Sequence, residues 1–185
     1  MQKPTTDPRV SSSEPAPSVD VQAIYDVIAD PVLQIWSDAL FAHRLARSAD
    51  DEWQRGTYVR WTIAMAWTAV ERSADETLGL SIVAEATGRP LPFREAVDRA
   101  VVEYRGRPAP PWQRGPWQRI LELEGLCHSF AQLRDGVTPA RLFAQVSEAD
   151  RAIRDARVGI KAICRYVDHQ PPGWISMPPA GAARA

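Results

Sequence analysis

Apolar residues along the middle of the chain recur at three and four residues, the period of a helix with one buried face. Leu33, Trp36, Leu40 and the Arg44–Leu45 pair mark such a stripe, and Asp30 followed by Pro31 is an N-cap with proline at the first helical position. The spacing predicts an amphipathic helix over 31–48, preceded by a shorter one over 19–29. Asp50 or Asp51 then caps a second long helix, in which Val59, Ile63, Ala66 and Val70 form one face and Tyr58, Trp61, Met65 and Ala69 another. A helix that is apolar on two faces belongs in the middle of a bundle. Ser73 and Glu76 have capping-box spacing, so a break is expected there before the segment ends at Gly88, with Pro90 and Pro92 blocking continuation.

Phe93, Val97, Ala100, Val101 and Tyr104 predict a third helix from Pro92 to about Tyr104. The stretch 106–116 carries Pro108, Pro110, Pro111 and Pro116 and reads as an extended linker pinned at its ends by Trp112 and Trp117. Helix returns from Trp117 to about Asp135, and Gly136 closes it. Thr138–Pro139 is expected to start the last helix, where Leu142, Val146, Ala149, Ile153, Ala156, Ile160, Ile163 and Val167 step alternately by four and three. That is a heptad seam. It either closes the chain's own core or meets a second chain, which makes Ile153, Ile160 and Ile163 the candidate interface residues. No stretch alternates with period two. The expected fold is all-α, an antiparallel bundle of four main helices with one or two accessory helices.

Composition sets the boundaries. Residues 1–18 hold four prolines, a triple serine and one aliphatic side chain, Val10, and read as a disordered arm. Residues 19–169 form the helical domain, and 170–185 form a flexible Pro-rich tail whose Trp174, Ile175 and Met177 either dock or serve as a partner-binding peptide. The 22 basic and 23 acidic residues nearly balance, which excludes a chain built overall as a nucleic-acid coat. The uncharged run 61–70 is about half a bilayer span, so no membrane segment is expected. The N-terminal stretch lacks the apolar core of a signal peptide, and two cysteines, Cys127 and Cys164, make no framework, which points to a reducing cytoplasm. Only Lys3 and Lys161 are lysine and asparagine is absent, the bias of a GC-rich bacterial genome.

Candidate chemistry is sparse. Glu124 and His128 lie four apart on one helix face, the spacing of a helix-stabilising pair, and no metal-ligand, phosphate-loop or nucleophile motif occurs. No cofactor and no metal are expected. Arg154, Arg157, Lys161 and Arg165 lie along one strip of the last helix, which fits a phosphate backbone or an acidic partner. The interspersed aspartates fit a solvated helix back instead.

The segment 132–140, with Arg134 and Asp135 at a junction between two long helices, resembles the signature of the HEPN superfamily of helical-bundle proteins: an arginine, a polar residue and, after a short gap, a histidine. The order of helices over about 20–168 resembles that family as well. The resemblance implies a metal-independent ribonuclease ancestry with Arg134 and Asp135 as site residues, pairing of two copies around Arg134, and a setting in phage defence or toxin–antitoxin systems. The histidine is missing, because none stands between His128 and His169. Arginine, always protonated, cannot replace it as a base. His128, six residues before Arg134, is about 120° around a helix and roughly 9 Å along it. The resemblance therefore implies a non-catalytic member acting by homodimerisation or by binding another protein. The alternatives are an RNA endonuclease using Arg134, and a small-molecule-sensing helical regulator with a tryptophan-lined pocket.

Overall fold

The computed structural model describes residues 30–131 and 144–176, and all regular structure among them is helical. Helix α1 spans Pro31–Ser48, α2 Glu52–Leu78, α3 Leu80–Thr87, α4 Phe93–Arg99, α5 Gly115–Ala131 and α6 Val146–Tyr166. The expected N-caps are in place: Asp30 Oδ1 accepts from the Leu33 amide at 2.9 Å and Asp51 Oδ1 from that of Gln54 at 2.8 Å. Each satisfies an amide that the helix start would otherwise leave bare.

α1 and α2 form an antiparallel hairpin across a three-residue turn. α6 runs parallel to α2, with Thr77 beside Cys164, and antiparallel to α1 and α5, where His43 meets Asp150 and Arg119 meets Asp155. The central α2–α6 pair thus has α1 and α5 as its flanks, and α3 and α4 are the accessory helices. Ile63, Ala66, Val70, Ile120, Ile160 and Ile163 are buried in the core. Gly159 lets the helices close up there, since a Cβ at that position would sit 2.7 Å from Ile120 Cγ1.

The heptad seam is spent inside the chain. Ile153, Ile160 and Ile163 pack in its own core, so they are not the exposed interface that one reading of the seam expected. The last helix also starts later than Thr138–Pro139: residues 144 and 145 are not helical, and a capping box between Gln145 and Glu148 opens α6 at Val146. Leu142 lies outside the described residues.

The break in the second helix falls at Gly79 rather than at Ser73. Ser73 is buried within α2, whereas Gly79 takes the left-handed conformation at φ 75° and its amide returns to the Asp75 carbonyl. Only glycine enters that region without a Cβ penalty. Asp75 Oδ1 then accepts from the Ser81 amide at 2.7 Å and steadies the restart. Gly88 ends α3 as expected, at φ 67°. The third helix is α4 followed by a single π turn, Ala100–Tyr104, which keeps Ala100 and Val101 buried.

Aromatic rings tie the proline-rich linker to the bundle. Trp67, Phe93, Trp112, Trp117 and Tyr166 stack edge to face in sequence, at centroid distances of 5.0, 6.4, 5.1 and 5.2 Å. Such pairs add stabilisation beyond their buried area. Trp112 Nε1 donates to Asp98 at 2.7 Å, and Tyr166 Oη donates to the Pro108 carbonyl at 3.0 Å. The domain also extends past residue 169. A short 3₁₀ turn, Gly173–Ser176, buries Ile175 and sets Trp174 against Trp36 at 6.2 Å, with the Trp174 indole donating to Asp30. Docking is therefore the reading that holds for Trp174 and Ile175; Met177 lies outside the described residues.

Candidate functional site

Two surfaces compete for attention once the sequence candidates are placed. Arg134 and Asp135, with the expected helix over 19–29 and the Thr138–Pro139 pair, lie outside the described residues. The arginine strip on α6 is present but broken. Arg154 and Arg165 are exposed, Lys161 is half-buried, and Arg157 turns inward, its guanidinium carbon 5.8 Å from the centre of the Trp36 ring. Beside the strip, Arg151 bonds Glu122 of α5 and Asp155 of its own helix, and Arg119 reaches Asp155 at 3.7 Å. Asp155 is buried, and two guanidiniums give it the pairing that a buried carboxylate needs. Much of the positive charge on this side is thus used to join α5 to α6.

The first surface is an aromatic strip on the outside of the α1–α2 hairpin. Phe41 and Trp61 meet edge to face at 6.4 Å and yet are 44% and 39% exposed. Trp53 is 56% exposed and shares the α2 face with Thr57 and Trp61 through two four-residue steps. The Arg44 guanidinium lies over the Phe41 ring at 5.4 Å. Three residues to either side of Phe41 stand Asp38 and Arg44, both exposed, so the strip carries opposite charges placed symmetrically about an aromatic centre. Trp61 and Trp67, six residues apart on α2, point different ways. Trp67 is the buried one.

The second surface lies between α2 and α5, where Glu71, Glu124, Cys127 and His128 come together. Burial pushes the Glu71 carboxyl above the usual carboxylate range and the nearby Glu124 adds to this, while a hydrogen bond from Trp67 and the neighbouring His128 pull the other way. Burial also raises Glu124, against the attraction of His128. The Cys127 thiol is pushed up by burial and then by the two carboxylates, which makes it a poor thiolate and a poor nucleophile. Among the described residues no group of three or more His, Cys, Asp or Glu side chains is arranged to hold a metal ion. No described helix is long and apolar enough to cross a membrane.

Comparison with known protein families, curated proteins and solved structures finds no match to this chain.

Proposed function

We propose that this chain is a non-catalytic, HEPN-like helical-bundle protein that acts by association, and that its first partner is a second copy of itself. The reading is carried by the exposed Phe41–Trp61 pair. Aromatic rings framed by arginine are the residue types that dominate protein interfaces, and leaving two touching rings in water on a folded surface forgoes burial that a partner would supply.

The charges favour a second copy as the occupant. In a two-fold pairing of α1 with its mate, centred on Phe41 and antiparallel, residues equally far before and after Phe41 face one another. Asp38 of one chain then meets Arg44 of the other, twice over, around a centre of Phe41 and Trp61. The HEPN-like segment 132–140 adds a second support, since the resemblance implies pairing of two copies and, without its histidine, binding rather than cleavage. A place in phage defence or toxin–antitoxin biology follows from that resemblance.

Light scattering tests the association. At concentrations on the order of 100 μM, well above a micromolar dissociation constant, the parent is expected as a dimer and Phe41→Glu or Trp61→Glu as folded monomers. A monomeric parent, or variants that dimerise as well as the parent, would refute the reading.

A further inference from the structure

A cleft of about 280 Å³ opens beside the carboxylate cluster, where α2, α3 and the start of α4 meet. Its walls are of two kinds. Leu80, Ala84, Leu91 and Phe93 supply an apolar floor, and Phe93 is backed by the edge-to-face contact with Trp67. Glu71 and Asp75 supply carboxylates from successive turns of α2, and Arg72 between them adds a guanidinium.

The two acids are not equivalent. Asp75 is engaged: it accepts from the Ser81 amide and pairs with Arg72 at 3.5 Å. Glu71 accepts the indole hydrogen bond of Trp67 but forms no ion pair with lysine or arginine among the described residues. From α5 it faces a second carboxylate, Glu124, with His128 partly offsetting that charge. From α2 it has Arg72 and Asp75, which satisfy one another, and the α3 and α4 walls are apolar apart from Ser81. A half-buried carboxylate that is repelled by its neighbour and has no lysine or arginine partner among the described residues, at the edge of an apolar cleft, is complementary to a positive charge with hydrocarbon attached. An anion would meet two carboxylates against the single guanidinium of Arg72, which Asp75 already holds. A neutral apolar molecule would desolvate Glu71 further without compensating it.

The geometry points to a binding site for a small organic cation, a protonated amine or quaternary ammonium on a compact apolar body, with its charge at Glu71 and its body against Leu91 and Phe93. The inference stands apart from the association reading, since the cleft uses the C-terminal turns of α2 with α3 and α4, whereas Phe41 and Trp61 lie on α1 and earlier on α2.

The test uses the full chain labelled with nitrogen-15 at pH 7, following the indole signal of Trp67, which reports directly on Glu71. The probes are 2-phenylethylammonium, neutral 2-phenylethanol and anionic 3-phenylpropionate, which share one apolar body. The cation is expected to give a saturable shift with a dissociation constant on the order of 1 mM or below, and the other two to bind at least about tenfold more weakly. Glu71→Gln, which can still accept from Trp67, is expected to weaken the cation about tenfold, the factor that about 1.4 kcal/mol represents. Ala84→Arg, which puts a positive charge into the cleft wall, is expected to abolish binding, and it keeps the test decisive if Glu71→Gln does not fold. Equal binding of all three probes, parent-like binding by the folded variants, or no saturation by the cation up to about 10 mM would overturn the proposal.

Discussion

His43 on α1 reaches Asp150 in the second turn of α6, Nε2 to Oδ1 at 2.6 Å, and so ties two helices together through residues 107 positions apart in sequence. The imidazole is buried while the carboxylate is half-exposed, with Arg47 a further 3.6 Å contact on the same oxygen. The bond explains why a histidine sits on the inner stripe of α1, where an apolar side chain would otherwise be expected.

Removing it should be costly, and the outer contact should not be. His43→Ala is expected to lower unfolding free energy by about 2–3 kcal/mol, from a lost hydrogen bond to a charged group plus an unfilled space. Arg47→Ala, which removes a largely exposed side chain, should cost under about 1 kcal/mol. Urea titrations of both variants, with Asp150→Ala completing a cycle, check this; equal costs for the two would contradict it.

Two glycines should respond oppositely to alanine. Gly159→Ala must push Ile120, 2.7 Å from the new Cβ, within a close-packed core, and is expected to destabilise by about 1–3 kcal/mol. Gly125, inside α5, has nothing within 4 Å of the same position. Gly125→Ala should stabilise by about 0.5–1 kcal/mol through helix propensity. Thermal melts followed by circular dichroism decide both signs.

Much of this architecture can be read from local residues. Asp30–Pro31, Asp51 and Gly88 set helix ends through their own backbone chemistry, and the tryptophans beside the linker prolines had to find buried homes. Other features depend on what lies across the bundle. The capping-box spacing of Ser73 and Glu76 is overruled because Ser73 packs inside, and the kink passes to Gly79. The step-four, step-three seam reads the same whether it is covered by its own chain or by another, and only the packing of α2 and α5 onto Ile160 and Ile163 distinguishes them. Glu71 and Glu124 come from different helices, so no periodicity announces that they share a site.

Those two carboxylates give stability a pH dependence of unusual sign. Both are raised in the folded state, mainly by burial, so the folded chain holds their protons more tightly than the unfolded chain. Their contribution is fully present below the unfolded carboxylate value and is lost as pH rises through the raised folded values. Glu124→Gln should therefore raise the melting temperature at pH 7.5 and leave it nearly unchanged at pH 4. A variant less stable than the parent at pH 7.5 would contradict the burial argument.

RNA is expected not to be cleaved. Total RNA incubated with the parent in the presence of chelator should remain intact, as it should with Arg134→Ala. Fragmentation by the parent that disappears in the variant would reverse the reading, because it would require Arg134 to work in a site without the histidine.

A second copy is favoured as the partner at the Phe41–Trp61 pair by the symmetric placement of Asp38 and Arg44 about Phe41. Sedimentation equilibrium of a charge-swap series tests it. Asp38→Arg and Arg44→Asp each place like charges opposite one another across the two-fold and should weaken dimerisation at least about tenfold, while the double variant restores it to near the parent value. Single variants that dimerise like the parent, or a double variant no better than the singles, would show that α1 does not pair with its copy around Phe41.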